Sequence, residues 1–401
     1  MATNPLIASE STVISESGDR DLRLGVLLIG NYPNDRQESM QRFADMMSTG
    51  LRAAGVFVEL VVPPTFFGRL KKSGSGFGKW LGYVDKYLLF PIQLRLRLLK
   101  IRSPVVVHIC DHSNAPYAAH VGGTSCVITC HDLGAVRGAL GEATYCPASA
   151  TGKILQRWIL ASLLRTTTIV CDSSATQSDA RRLLGARSPK TEVVLLGLNQ
   201  TFVRREEKET RSVLVETVPQ VDFRRPYLLH VGSSLTRKNR DGVIRVFHRV
   251  ANRWDGQLVF AGEGLTPELV ELADHLGISS RILVIPHPSS KVLEALYNRA
   301  FALLFPSRFE GFGWPVVEAQ ACGCPVLCSD AASLPEVAGK GAFIRPVEDE
   351  AGFAEDVLRL TEPAVRAALV ARGFENLPRF ETRRMVESYL RIYREAAGMA
   401  S

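Results

Sequence analysis

Apolar residues along this chain gather into short, nearly unbroken runs, separated by longer stretches in which they recur at helical spacing. Leu22–Ile29, Val56–Val62, Val105–Cys110, Cys126–Cys130 and Thr168–Asp172 are runs of the first kind. Continuous apolar runs of that length are expected of parallel strands covered on both faces. Between them, Ser39–Ala54, Tyr145–Leu164 and Ala175–Leu184 carry helical periodicity, with Ser174 or Thr176 as the candidate cap of the last. The theme then starts again. Tyr227–Val231, Leu258–Ala261, Ile282–Ile285, Ala302–Phe305 and Pro325–Ser329 predict five more strands. Val243, Ile244, Phe247 and Val250 share one face of a helix, Lys291–Arg299 is another, and helical patterns run from Pro346 to about Ala397. The fold class is therefore α/β, in two halves. The boundary falls in 191–226. There a strand, Glu192–Leu196, is followed by Gly197 and by a charged run, Arg204–Glu209, that lacks an apolar period and predicts a linker or surface excursion.

Composition narrows the class. The 401 residues suffice for two or three domains, and 46% hydrophobic with 22% charged content is that of a soluble globular protein. The eight cysteines are scattered in or beside strand runs, and Cys322-Gly-Cys324 has no zinc-type partner spacing. Residues 1–20 are polar, which predicts a disordered tail and no signal peptide. No run approaches the ~18 apolar residues of a membrane span, so a cytoplasmic protein is expected.

The net charge of +7 invites anionic partners. No nucleic-acid motif is present, which leaves phosphates or an anionic membrane surface. Residues 69–102 hold nine basic residues against one acid, Asp85. Trp80, Leu81, Val84, Tyr87 and Leu88 fall on one helical face after a lead-in with Gly74, Gly76 and Gly78. Such a stretch reads either as a helix lying in a membrane interface or as a core helix with a solvated basic face.

The chemistry concentrates in Phe305–Glu318. A strand end leads into a glycine loop, Gly311-Phe312-Gly313, and Pro315 opens a helix that Gly323 closes. A glycine loop at a helix N-terminus is an anion site. Two carboxylates frame it, Glu310 on the loop and Glu318 one turn into the helix. Carboxylates beside an anion site make sense for a ligand with hydroxyls next to its phosphates, such as a nucleotide sugar; taken alone, the pair reads as ordinary helix-start and surface acids. Other loops also sit at strand ends, where open α/β sheets place ligands. They are Gly30–Glu38, which lacks a G-x-G-x-x-G motif, His131-Asp132, Gly232–Asn239 with Arg237 and Lys238, and Pro286-His287-Pro288.

Glu310-Gly-Phe-Gly-x-Pro-x-x-Glu318-Ala319, Gly323-x-Pro325-Val326 and Leu334-Pro335-Glu336-Val337 closely resemble the retaining glycosyltransferases of family 4, densely over about 226–345. The resemblance implies two Rossmann-like domains facing each other across a cleft, the GT-B fold. It divides the chain into an acceptor-binding domain (21–200), a nucleotide-sugar-binding domain (201–380) and a helix crossing back (381–401). It implies transfer of a sugar from a nucleoside-diphosphate sugar to a hydroxyl acceptor, with no metal and no cofactor. Lys238 would hold the leaving diphosphate. Where many members have an Arg directly after the glycine this chain has Ser233, and Arg237 is the candidate for that role. Glu310 would hold hydroxyls of the transferred sugar and Glu318 the ribose, with Gly311–Gly313 N–H groups on the phosphates. The His287 loop would seat the base, and His131, beside Asp132, would contact the sugar or the acceptor side. Many members dock on the inner membrane leaflet, which favours the interface reading of 69–102. Two routes stay open, same-face attack assisted by the leaving phosphate and Glu310 as a transient nucleophile. Two rivals are a GT-B epimerase, whose relatives lack the glutamate pair, and a non-catalytic nucleotide-sugar or membrane-binding protein.

Overall fold

The computed structural model describes residues 24–35, 37–70, 77–100, 105–198, 200–218 and 223–399. The expected tail and the residues Lys71, Lys72, Gly74, Gly76 and Arg102 lie outside them, as do the side chains of Arg69, Lys79 and Trp80.

Among the described residues, twelve strands form two all-parallel six-stranded sheets. The first sheet takes β1 (Gly25–Ile29), β2 (Phe57–Val61), β3 (Val105–Ile109), β4 (Cys126–Cys130), β5 (Thr168–Cys171) and β6 (Lys190–Val193) in the order β2-β1-β3-β4-β5-β6. The second takes β7 (Tyr227–Gly232), β8 (Gln257–Gly262), β9 (Ile282–Pro286), β10 (Ala302–Phe305), β11 (Val326–Ser329) and β12 (Ala342–Arg345) in the order β12-β11-β10-β7-β8-β9. The central strands are buried at every position because crossover helices cover both faces.

Helices α1 (Glu38–Ala53), α2 (Phe77–Val84), α3 (Phe90–Leu98), α4 (Gly134–Ala139), α5 (Ala150–Leu163) and α6 (Ser174–Leu184) belong to the first half. Then come α7 (Glu207–Thr217), α8 (Arg240–Ala251), α9 (Pro267–His275), α10 (Ser290–Arg299), α11 (Trp314–Ala321), α12 (Leu334–Ala338), α13 (Glu350–Arg359), α14 (Pro363–Asn376) and α15 (Thr382–Ala396). Helix α15 returns to the first sheet, where the Tyr389 hydroxyl bonds Thr129 Oγ1 at 2.7 Å and the Tyr393 hydroxyl bonds His108 Nδ1 at 2.7 Å.

Three expectations need correction. The charged run does not stay a linker: it enters α7, whose Thr210 and Leu214 are buried while its acids face solvent. Two buried positions in eleven are too few to show as a period. Ser173, rather than Ser174 or Thr176, caps α6, its hydroxyl accepting from Thr176 N. The expected continuous face at 80–88 is broken by a π-helical segment, Asp85–Leu89, between α2 and α3. That extra residue per turn turns Tyr87 inward against Tyr117 and Trp158 and leaves Leu88 exposed.

Candidate active site

The site is built where loops at the carboxyl ends of the two sheets meet. On the second sheet, Gly232, Gly262 and Pro286 stand in one register row across β7, β8 and β9. A Cβ on Gly262, at φ +130°, would lie 2.4 Å from the Gly232 carbonyl oxygen. The row therefore closes up only with bare backbone. After Gly232 come Ser233, partly exposed, and Ser234, whose N–H donates to Glu263 at 2.8 Å. A single 3₁₀ turn, Thr236–Lys238, then presents Arg237 and Lys238. Asn239, at φ +53°, stops it and donates to the Pro306 carbonyl.

These cations converge on Glu310. Lys238 Nζ donates to Glu310 Oε1 and Arg237 Nη1 to Glu310 Oε2, both at 2.7 Å. Lys238 is 7% exposed and Glu310 6%. Burial alone would raise the Glu310 carboxyl, but the Lys238 and Arg237 charges outweigh it and pull it down to about 2. Burial pushes the Lys238 ammonium down, against the pull of Glu310. Two cations share one carboxylate, with Glu318 acting on Lys238 and Asp132 on Arg237 from further off; a diphosphate that replaces Glu310 on them finds two charged donors side by side.

The glycine loop closes over this group. Gly313, at φ +100°, is the N-cap of α11, and a Cβ there would meet Leu334 at 2.7 Å. The buried Ser333 hydroxyl lies 2.9 Å from the Glu310 carbonyl and 2.8 Å from that of Phe312, bracing the loop from behind. Phe312 packs edge-on against Trp314 and Phe380. Glu318, 4% exposed, accepts from the Tyr297 hydroxyl at 2.8 Å. His287 sits exposed at the end of the edge strand β9 with φ +44°, its N–H donating to the Gly262 carbonyl at 2.9 Å.

The first half supplies the other wall. His131 follows β4 and Asp172 follows the neighbouring strand β5. His131 Nδ1 lies 2.5 Å from Asp172 Oδ2 and Nε2 lies 2.9 Å from the Cys110 carbonyl. Burial pushes the imidazole down, but the Asp172 charge and hydrogen bond raise it to about 9. Burial also pushes the Asp172 carboxyl up. The proton belongs on the ring: both nitrogens face acceptors, which only an imidazolium satisfies. Both are thereby engaged within the first half. It is the His131 main chain that meets the second half, since a Cβ on Gly311 would lie 2.1 Å from its carbonyl oxygen. Asp132 accepts from Gly134 N, opening α4. Ser173 Oγ donates to the Gly311 carbonyl at 2.9 Å, and Ser174 N and Oγ donate to Glu336 at 2.7 and 2.9 Å.

The structure thus brings Arg237, Lys238, Glu310, Gly311, Phe312 and Gly313 into one cluster, with His131 and Asp132 against it and Ser233, Glu318 and His287 at neighbouring strand ends and on α11. Sequence reasoning missed Tyr297, Ser333 and Asp172 and quoted Glu336 in a motif without giving it a role. Asp172 had a signal, for it follows a strand run just as His131 does. Among the described residues, no group of three or more His, Cys, Asp or Glu is placed to hold a metal ion.

Two Rossmann-like sheets whose carboxyl ends meet at a basic, glycine-gated cleft define a GT-B protein. Comparison with known proteins agrees. The family model "Glycosyl transferases group 1" matches residues 218–372 and "Glycosyltransferase Family 4" matches 40–202, so the second half carries a group 1 glycosyltransferase domain and the first a family 4 domain. It is 26% identical to the O-antigen chain mannosyltransferase B of Escherichia coli over 56% of this chain and 60% of that one. It is 27% identical to the D-inositol 3-phosphate glycosyltransferase of Rhodococcus erythropolis over 69% and 63%. The chain thus spans less than two thirds of the length of these curated relatives. Among solved structures, sucrose-phosphate synthase of Thermosynechococcus elongatus superposes with TM-score 0.74 at 19% identity, over 93% of this chain and 99% of that one. Anabaena HepE in complex with UDP and glucose superposes with TM-score 0.67 at 15% identity, over 92% and 98%. WaaG, a glycosyltransferase involved in lipopolysaccharide biosynthesis, superposes with TM-score 0.68 at 17% identity, over 92% and 99%.

Proposed function

We propose that this chain is a retaining, metal-independent glycosyltransferase that moves a sugar from a nucleoside-diphosphate sugar to a hydroxyl acceptor, working at an anionic membrane surface. One observation carries the reading: Lys238 and Arg237 converge on Glu310 beneath the N-terminus of α11. The costly step is departure of the diphosphate, and preorganised cations and N–H dipoles lower it most. Arg237, Lys238 and the N–H groups of Gly311–Gly313 fill that part, which is the argument for metal independence. Glu310 takes hydroxyls of the transferred sugar as the diphosphate takes over its cations. Glu318, oriented by Tyr297, takes the ribose. The bare row Gly232–Gly262–Pro286, with Ser233 and His287 at its ends, admits the nucleotide.

Glu310 is engaged by two cations in the free site and by the sugar's hydroxyls once the donor binds, which leaves it a poor nucleophile. That favours same-face attack, with the leaving phosphate oxygen accepting the acceptor's proton. His131, with both ring nitrogens engaged, serves as a fixed positive charge behind Gly311 rather than as a proton shuttle, and Asp132 borders the acceptor side. The relatives' names support this reading: one is a mannosyltransferase, another an inositol phosphate glycosyltransferase. So does HepE, solved with UDP and glucose.

Thermal-shift screening with uridine, guanosine and adenosine diphosphates and their sugars, in the presence of chelator, tests the donor half. One nucleotide series should stabilise the protein without metal. The matching sugar nucleotide should then turn over, and NMR of the product should show the donor's anomeric configuration. Stabilisation only with added divalent metal, or an inverted product, would overturn the proposal.

A further inference from the structure

Trp314 follows the glycine loop directly and is the first residue of α11. Its indole Nε1 donates to the Gly197 carbonyl at 3.0 Å. An indole N–H can only donate, and a partly buried one commonly finds a carbonyl. The bond by itself is ordinary. Its partner is not, because Gly197 belongs to the other half.

Gly197 lies where the chain leaves the first half, and α15 holds it there. A Cβ on Gly197 would stand 2.8 Å from Thr382 Cα and from Thr382 Oγ1. Gly197 N donates to Met385 Sδ at 3.3 Å, and Thr382 Oγ1 donates to the next carbonyl, that of Leu198, at 3.3 Å. Helix α15 is itself fixed to the first sheet through Tyr389 and Tyr393. It packs so closely on α1 that a Cβ on Gly50 would lie 2.5 Å from Val386. Gly197 therefore moves with the first half, and Trp314 with the second.

The indole thus ties the tip of α11 to the crossing segments. Phe312 stands edge-on to both Trp314 and Phe380, at 6.2 and 5.8 Å between ring centroids. The Phe380 carbonyl accepts from Leu198 N at 3.0 Å, beside Gly197. Phe312, Trp314, Gly197, Leu198 and Phe380 therefore close a ring of contacts, in which no member shifts alone. On the outer side of this ring a cavity of about 980 Å³ opens, with Met46, Gly50, Leu198 and Phe374 among its walls. The crossings lack packing on that side, so the indole bond carries more of their restraint. Small shifts at such a pivot become large ones at the front of the cleft.

We propose that Trp314 is a positioning residue that carries occupancy of the glycine loop to the crossings. A diphosphate on the N–H groups of Gly311–Gly313 fixes the tip of α11, the indole passes that restraint to Gly197, and the stiffened crossings hold the two halves closed during transfer. The ligand in this inference rests on the donor reading; the tie does not.

Amide exchange on the full chain tests both parts, with uridine, guanosine and adenosine diphosphates as probes. The nucleotide that raises the melting temperature should slow exchange around Leu198 and Phe380, which lie away from the Gly232–Gly262–Pro286 row. Trp314→Phe keeps a ring against Phe312 and has no N–H. In that variant the nucleotide should still raise the melting temperature, while the added protection of the crossings is lost. Its kcat should fall about ten-fold or more, and the donor KM should rise by less. Without nucleotide, exchange around Leu198 should run about three-fold faster or more in the variant than in the wild type. Wild-type crossings that gain no protection from the nucleotide would overturn the proposal, whether or not the variant folds. So would full protection in Trp314→Phe, or unchanged exchange around Leu198 in the nucleotide-free variant. If none of the three nucleotides raises the melting temperature, the donor reading fails, and the two nucleotide-free proteins still decide the tie.

Discussion

At the residue scale, the informative fact is the double engagement of Glu310. Its carboxylate occupies the two cations that a diphosphate would otherwise use. Glu310→Gln should therefore move binding and turnover in opposite directions. The matching nucleoside diphosphate should bind up to about ten-fold tighter, about 1.4 kcal/mol, because no internal anion competes. Turnover should fall at least a hundred-fold. Weaker diphosphate binding in calorimetry would remove the competition argument. His131 gives a second prediction. Its folded-state value, about 9, lies above the ordinary 6.5. A raised value contributes stability that is full below about 6.5 and lost as pH rises through about 9, on the order of 3 kcal/mol for a group this buried. Asp172→Asn should remove that contribution. The gap in melting temperature between wild type and variant should be widest near pH 6 and narrow towards pH 9. A gap constant over that range would show that the imidazole does not change charge there.

At the scale of elements, what was legible follows from the physics of each segment. Continuous apolar runs bounded by loops marked ten of the strands, because a parallel strand buried on both faces has little other way to look. β12 (Ala342–Arg345) is only partly buried throughout and passed unread. α7 was hidden because its contact with α10 needs so few apolar residues, and the π-helical segment because one extra residue leaves no mark on composition. In the site, residues with a motif were found. Ser333 and Tyr297 were not, since their meaning lies in what they touch across the fold. Ser333 carries the element-scale prediction. Its hydroxyl is the brace between the loop after β11 and the loop after β10, next to Ala332 at φ +50°. Ser333→Ala leaves buried carbonyl groups of Glu310 and Phe312 without that donor. It should cost about 1–3 kcal/mol, read by urea denaturation, and should lower kcat more than it raises KM. Unchanged kcat would mean that the loop holds its shape from its glycines alone.

At the scale of the molecule, the contacts that join the two halves across the cleft govern closure, among them the Arg137 guanidinium over the Phe309 ring and that of Arg308 over the Tyr145 ring. Behind the cleft the chain crosses twice, with Leu198 N donating to the Phe380 carbonyl and Trp314 Nε1 to the Gly197 carbonyl, each at 3.0 Å. In front, Glu336 of α12 receives Ser174 N and Oγ at the first turn of α6, where a carboxylate meets the positive helix end. Gly311 packs onto the His131 carbonyl. A transferase must hold this front closed during transfer, to exclude water from the departing sugar. Gly311→Ala cannot keep the contact: its Cβ would stand 2.1 Å from a backbone oxygen, and neither backbone can retreat without moving its loop. The variant should open the molecule, seen as a larger radius of gyration in small-angle scattering. Transfer should fall at least a hundred-fold. The melting shift with nucleoside diphosphate should shrink but survive, because Arg237 and Lys238 lie wholly in the second half and only the Gly311 N–H is displaced with its loop. Glu336→Gln keeps the shape but removes the charge, so it should act the same way at a tenth of the size or less, with an effect that shrinks as salt screens the wild-type contact. An unchanged radius with full turnover in Gly311→Ala would mean that chemistry does not require the two halves to meet at this glycine.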